Sequence, residues 1–176
     1  MKPKVIAVVG SKSSGKTTTI EALTRELTKR GYKVAAIKHI PEPNFTIDTK
    51  DKDTWRFAQS GAKTIISVAS SEVATIEKAD SKNLSLEELL QKCKGNDIVL
   101  IEGFRKLVSN SRSIPKVVVV KSKEEALEAP KLFKPVLAFT GPYSTEGLHL
   151  EIPYVDVLKN PEKIADIVEK AITKKR

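Results

Sequence analysis

The chain has 176 residues, of which 40% are hydrophobic and 30% charged, and its formal net charge is +9. These values are typical of a globular domain, and no apolar run reaches the roughly 18–20 residues that span a bilayer. The single cysteine, Cys93, excludes an internal disulfide and a cysteine-based metal cluster. We therefore expect one domain over residues 1–176, cytoplasmic and without a membrane segment.

The basic surplus suits an anionic ligand, an acidic partner or a plainly solvated surface. The recognition-helix, zinc and aromatic–basic signatures of nucleic-acid binding are missing from the sequence, so it predicts no nucleic-acid partner.

The first elements frame a phosphate-binding motif. "KVIAVV" predicts a strand, and residues 17–30 predict a helix that ends before Gly31. Between them the sequence fits G-x-x-x-x-G-K-[ST], the P-loop, whose backbone N–H groups turn inward on phosphate. Its residues are Gly10, Ser11, Lys12, Ser13, Ser14, Gly15, Lys16 and Thr17. We expect Lys16 to reach the β- and γ-phosphates and the Thr17 hydroxyl to coordinate Mg²⁺.

A long polar loop follows the second predicted strand, "KVAAIK". Lys38 and His39 end that strand, and His39 is either a site residue or an ordinary, partly exposed histidine. Asp48 is a candidate for holding Mg²⁺ or positioning water, whereas Asp53 suits either the site or the N-cap of the helix that begins "TWRFA". Arg56 could pair with phosphate or with the neighbouring carboxylates.

The remaining elements predict a mostly parallel sheet. Residues 64–78 predict an antiparallel hairpin around a Ser-Ser turn, and "SLEELLQKCKG" predicts a helix that buries Cys93. Three apolar runs follow, and a last helix begins at Pro161 after Asn160. Strands that are apolar on both faces and alternate with helices predict a three-layer α/β fold of the P-loop NTPase type.

A carboxylate is expected where one of these strands ends. In "DIVLIEGF", Asp97 lies at the start of the strand and Glu102 at its carboxyl end, which is where ligands bind in such sheets. We therefore expect Glu102 to hold Mg²⁺ or its water, and the N–H of Gly103 to contact a γ-phosphate.

Taken together, these motifs resemble the MobB family. The likeness rests on G-x-x-x-SGKTT, the Lys-His after strand two, "DTKDKDTWRFAQSGA" and "DIVLIEGF", and it covers roughly residues 4–120. The chain has Asp51 where the family usually has glycine.

The resemblance implies a dimeric P-loop protein that binds GTP with Mg²⁺, hydrolyses it slowly, and assists the guanylyltransferase that joins GMP to the molybdenum cofactor. It implies that Thr18 joins Gly10, Gly15, Lys16 and Thr17 on the triphosphate. It also implies that Thr17 serves the metal with Asp48 or Glu102. The residues alone indicate only a nucleoside triphosphate.

Two other functions compete with this one. A small-molecule kinase would use the same P-loop with a mobile lid, for which "RKLVSNSRS" at residues 105–113 is a candidate. An adaptor would use the nucleotide as a switch with negligible turnover, and the loop at residues 40–54 fits a docking role. Arg56 or Arg105 is a candidate arginine finger for hydrolysis.

Overall fold

The computed structural model describes residues 2–80 and 84–173, which form two compact units. The first holds residues 2–39 and 86–173, and the second is Ile40–Ser85. No helix in the described ranges combines the length and apolar character required to cross a bilayer.

Five parallel strands form the central sheet of the first unit, in the order β2-β5-β1-β6-β7. The predicted first strand is thus part of the core, next to β5 and β6. The strands are β1 Lys4–Gly10, β2 Val34–Lys38, β5 Ile98–Glu102, β6 Lys116–Val119 and β7 Val136–Thr140.

Helices cover both faces of this sheet and give the predicted three layers. Along β1, Ile6 and Val8 join the cluster that contains α1 and α6, whereas Ala7 and Val9 join the cluster that contains α3 and α5. This alternation is the period-2 geometry of a strand buried on both sides. The helices are α1 Lys16–Lys29, α3 Leu86–Lys92, α4 Arg105–Val108, α5 Lys123–Leu132 and α6 Pro161–Thr173, with a 3-10 turn at Glu146–Leu148.

Helix α1 follows the P-loop and is held by packing along its length and by ion pairs at its far end. Leu23 and Leu27 are fully buried against the sheet and α6. At the far end, the Arg30 guanidinium lies 2.7 Å from Glu169 and 2.8 Å from Asp166, both on α6. The helix that must present its N-terminus to a ligand is therefore held by packing and ion pairs away from the loop.

Cys93 is a core residue, as predicted, with 9% of its surface exposed. Burial raises the pKa of its thiol, which disfavours the reactive thiolate.

The second unit holds α2 Asp53–Gln59 and the predicted hairpin, β3 Thr64–Val68 and β4 Val73–Glu77. The two strands pair antiparallel and form a sheet of their own, separate from the parallel sheet. Their alternation leaves Ile65 buried, while Ile66, Val68 and Val73 are exposed.

Candidate functional site

The P-loop closes tightly because its glycines take positions that a side chain would disturb. A Cβ added at Gly10 would lie 2.4 Å from the carbonyl oxygen of Val119 on the neighbouring strand. Gly15 caps α1 with φ +102°, a left-handed conformation that glycine adopts easily. The two glycines of the motif therefore serve the turn between β1 and α1.

This loop leaves polar groups that an anion would satisfy. The hydroxyls of Ser11 and Ser14 are buried without a hydrogen-bond partner among the described residues. Because the N-cap is glycine, no side chain accepts from the first N–H groups of α1. Free N–H groups at a helix N-terminus, with the helix dipole behind them, favour bound phosphate.

Lys16 lies folded over the loop. Its ammonium donates to the carbonyl of Ser11 at 2.5 Å. Burial lowers the pKa of Lys16 from its usual 10.5, and the nearby negative charge of Glu102 partly opposes that shift. A negatively charged phosphate oxygen beside this partly dehydrated ammonium would stabilise its charged form.

Glu102 lies at the carboxyl end of β5, as predicted, and meets the first turn of α1. Thr17 donates its hydroxyl to Glu102 Oε2 at 3.1 Å, and Lys38 Nζ lies 3.3 Å from Oε1. Register brings Glu102 beside Lys38, because β5 pairs Glu102 with Val8 of β1 and with Lys38 of β2. The hydroxyl and carboxylate that the sequence assigned to Mg²⁺ are therefore neighbours.

The loop after β5 differs from expectation in one respect. The N–H of Gly103 donates to the carbonyl of Val8 at 3.2 Å, so it is not free for a γ-phosphate in this conformation. The parallel ladder continues one residue past the strand and uses that donor. Contact between Gly103 and phosphate would require this hydrogen bond to break.

His39 has a defined neighbour in the same unit. Its ring lies 4.9 Å from that of Phe104, and its backbone N–H donates to the backbone carbonyl of Glu102. Phe104 has φ +50°, a conformation uncommon outside glycine. His39 thus packs on the turn that carries Glu102 and Gly103.

Lys121 is a residue that sequence reasoning missed. It follows β6, and its ammonium donates to the carbonyl of Lys12 in the P-loop at 2.9 Å. Its backbone N–H donates to Glu125 at 2.7 Å, which fixes the turn. The sequence did contain a signal, since Lys121 follows the apolar run at 117–120. Glu102 was identified in the same way, as a polar residue at the end of an apolar run.

Asp48, Asp53 and Arg56 belong to the second unit. Asp48 Oδ1 accepts from the Thr54 hydroxyl at 2.8 Å, while Oδ2 is buried without a partner among the described residues. Asp53 is the first residue of α2 and not its N-cap, which is Lys52, so that interpretation was wrong. Arg56 lies 3.8 Å from Asp53, one turn earlier, with both side chains largely exposed.

Asp51 has φ +69°, the left-handed conformation that glycine adopts most easily and aspartate tolerates. This chain therefore has aspartate where the family usually has glycine, and the backbone still adopts a conformation that suits glycine.

The candidate lid is anchored rather than free. Residues Arg105–Val108 form α4, and Val108 is fully buried in the core cluster that contains α5. The buried ammonium of Lys116 donates to the carbonyl of Ser111 at 2.5 Å and to that of Lys134 at 2.7 Å. These contacts give no support to the kinase hypothesis.

Comparisons with known proteins agree with the motifs. The family model described as molybdopterin guanine dinucleotide synthesis protein B matches residues 5–140, beyond the point where the sequence resemblance ended. Over 167 residues the chain is 32% identical to the molybdopterin-guanine dinucleotide biosynthesis adapter protein of Haemophilus influenzae, covering 94% of this chain and 87% of that protein.

Solved structures share the fold. A molybdopterin-guanine biosynthesis protein B (mobB) superposes with a TM-score of 0.74 at 24% identity, over 97% of this chain and 99% of that one. MobB of Bacillus subtilis superposes with a TM-score of 0.69 at 24% identity, over 93% and 97% of the two chains.

Proposed function

This chain belongs to the MobB family, and from that premise we propose that it is an adapter in molybdopterin guanine dinucleotide biosynthesis that binds GTP with Mg²⁺. On this proposal it hydrolyses GTP slowly and assists the guanylyltransferase that attaches GMP to the molybdenum cofactor. The observation that carries the nucleotide proposal is the 3.1 Å contact between Thr17 and Glu102 at the first turn of the P-loop helix.

The donor set fits a magnesium nucleotide. Among the described residues, no group of three or more His, Cys, Asp and Glu side chains could hold a metal alone. Mg²⁺ usually keeps several waters and binds through one or two protein groups plus phosphate oxygens. Thr17 and Glu102 match that requirement, with Asp48 as a further candidate. When bound, Mg²⁺ neutralises charge on the β- and γ-phosphates.

The chain's own groups would bind and orient the triphosphate. Lys16 exchanges the carbonyl of Ser11 for a phosphate oxygen, and the N–H groups at the start of α1 supply further donors. These contacts hold the terminal phosphate for attack by water, which is catalysis by positioning and charge neutralisation. We expect slow turnover, because neither a water-positioning glutamine nor an arginine finger is established among the described residues. Arg56 and Arg105 remain candidate fingers.

The proposed homodimer has a candidate surface on the second unit. Ile66, Val68 and Val73 lie on one face of the β3–β4 hairpin with 61%, 77% and 66% of their surfaces exposed. Two-stranded sheets are marginally stable alone, and contiguous exposed apolar groups on a sheet face favour association.

Replacing Lys16 by alanine tests the nucleotide site. We expect this variant to lose GTP binding in calorimetric titration while its thermal unfolding stays close to that of the wild type. Lys29→Ala is the matched control, because Lys29 lies at the other end of α1 and pairs only with Glu26 among the ion pairs of the described residues. Unchanged GTP affinity in the Lys16 variant would remove the site assignment.

A reconstituted guanylyltransferase reaction separates a coupled GTPase from a nucleotide-switched adaptor. The chain or its Glu102→Gln variant is added to the guanylyltransferase, and the yield of guanine dinucleotide cofactor is measured. A GTPase-coupled helper loses its stimulation in the variant. An adaptor with negligible turnover keeps its stimulation when GTP is supplied at a concentration that saturates the variant, and the same comparison applies to Asp48→Asn.

A further inference from the structure

A cleft of about 290 Å³ opens beside the P-loop, between the first turn of α1 and the segments that follow β7. Its wall includes Thr18 of α1, Thr140 and Pro142 at the end of β7, and Asp156 and Leu158 further along. We infer that this cleft takes the guanine base and ribose of the bound nucleotide. The inference rests on the proposed function, since it assumes that the P-loop holds the phosphates.

The position of the cleft matches the direction in which a nucleotide would leave the loop. Thr17 faces Glu102 of β5, which lies on one side of β1, and this contact marks the metal end of the phosphate chain. Thr18 comes next in the helix, about 100° further round, and lines the cleft together with Thr140 of β7. The phosphate chain would thus run from Glu102 toward Thr18, and the nucleoside would follow into the cleft.

Two buried hydroxyls on the cleft wall have no partner. Thr140 is completely buried and Ser14 has 1% of its surface exposed, and neither hydroxyl makes a hydrogen bond with a described residue. Buried polar groups in native proteins are nearly always satisfied by protein, ordered water or ligand, so two such groups in one wall mark that wall as polar. Ser14 belongs to the P-loop, which holds the phosphates, whereas the Thr140 hydroxyl can both donate and accept, which suits a ribose or the edge of a base.

The turn after β7 is built to hold this wall in place. A Cβ at Gly141 would lie 2.6 Å from the carbonyl oxygen of Val120, and Gly141 has φ +112°. Tyr154 donates its hydroxyl to the carbonyl of Gly141 at 2.7 Å. The segment that carries Asp156 is therefore fastened to the turn that carries Thr140.

Asp156 gives the cleft its base preference. Its Oδ1 accepts the N–H groups of Leu158 and Lys159 at 3.0 and 3.3 Å, and Oδ2 lies 3.4 Å from the ammonium of Lys159. A carboxylate has about four acceptor positions, so capacity remains on Oδ2. Guanine presents two adjacent donors, N1–H and the 2-amino group, to such a carboxylate. Adenine presents a ring nitrogen lone pair in the same place, which the carboxylate repels.

Leu158 and Pro142 supply apolar surface for the faces of a base. Leu158 is 76% exposed, so its side chain is accessible to a ligand in the cleft. Ligand pockets combine apolar walls with a few polar groups at fixed positions, and the smallest have volumes of about 300 Å³. The cleft fits a single nucleoside and leaves little space for more.

Calorimetric titration of the full chain with the Mg²⁺ complexes of GTP, XTP and tripolyphosphate tests the inference. Asp156→Asn should weaken GTP about tenfold and strengthen XTP, because the amide can donate to the 2-oxo group of xanthine. Leu158→Ser should weaken GTP and XTP together. Neither variant should change the affinity for tripolyphosphate, which contacts only the loop.

Two matched variants control for charge and for lost apolar surface. Asp166→Asn removes a carboxylate from α6, where it pairs with Arg30, and Leu127→Ser removes an exposed leucine from α5. Both should bind GTP like the wild type, and thermal unfolding checks that all four variants are folded.

The binding results distinguish an error in the base site from an error in the proposed function. GTP affinity that is unchanged in both Asp156→Asn and Leu158→Ser overturns the base site while leaving the phosphate site intact. Equal affinity of the wild type for GTP and tripolyphosphate does the same. A wild-type protein that binds neither ligand overturns the proposed function, and the inference with it.

Discussion

Replacing Glu102 by glutamine removes one negative charge at the point where β5 meets the P-loop helix. The glutamine keeps the size of the side chain and an oxygen that can accept from Thr17. Lys38 loses its ionic partner, but 55% of its side chain is exposed and stays hydrated. We therefore expect the free energy of unfolding to fall by only about 1–2 kcal/mol, between the values for an exposed ion pair and for a hydrogen bond to a charged group.

The effect on nucleotide binding should depend on the metal. A charge-assisted contact contributes about 1.5–3 kcal/mol, so the variant should lose roughly 10- to 150-fold of its affinity for Mg²⁺·GTP. With EDTA in place of Mg²⁺, the affinity for GTP should stay unchanged or rise, because a carboxylate beside a naked triphosphate repels it. Calorimetric titrations with and without Mg²⁺ measure both quantities.

Asp97→Asn is the matched control, because it removes the same charge at the opposite end of the same strand. Asp97 accepts the N–H of Lys33 at 2.8 Å, so this variant should lose some stability and bind GTP normally. Glu102 does not hold the metal if Glu102→Gln keeps the full effect of Mg²⁺, or if it loses equal affinity in Mg²⁺ and in EDTA.

Three further predictions concern stability and assembly. Gly10→Ala forces a Cβ against the carbonyl of Val119, so urea titration should show a loss of about 1–3 kcal/mol, whereas Gly147→Ala, with no atom within 4 Å, should change little. Burial lowers the pKa of Lys116 below its usual 10.5, so over this pH window the unfolded chain binds more protons than the folded chain. The free energy of unfolding should therefore rise as the pH approaches 10.5. Lys116→Met should flatten that rise, because the variant has no group to titrate there. A stability of Lys116→Met that rises as steeply as that of the wild type would contradict this. Val68→Lys should convert a dimer to a folded monomer in sedimentation velocity experiments, and an unchanged dimer would exclude the hairpin face.

Local patterns predicted the fold well. The P-loop, the helix behind it and the buried strands are specified by glycines, caps and apolar periods within short stretches, and α1 begins within one residue of its predicted start. Glu102 could be placed because a polar residue ending an apolar strand lies at the ligand edge of a parallel sheet.

Details that depend on strand order could not be read from the sequence. The contact between Lys121 and Lys12 joins residues 109 positions apart and exists because β6 lies beside β1. The buried hydroxyl of Thr140 belongs to this class too, since only the assembled sheet shows that it lacks a partner. The interpretation of Asp53 as an N-cap was wrong for a local reason, because α2 begins at Asp53 itself, one residue earlier than that interpretation requires.

Titration of the wild-type chain with GTP, ATP and GDP, each with and without Mg²⁺, tests the central claim most directly. We predict that GTP binds more tightly than ATP, and that Mg²⁺ strengthens GTP more than GDP because the γ-phosphate adds a ligand for the ion. A preference for ATP, or GTP binding that does not depend on Mg²⁺, would contradict the proposed GTP site at Lys16, Thr17 and Glu102.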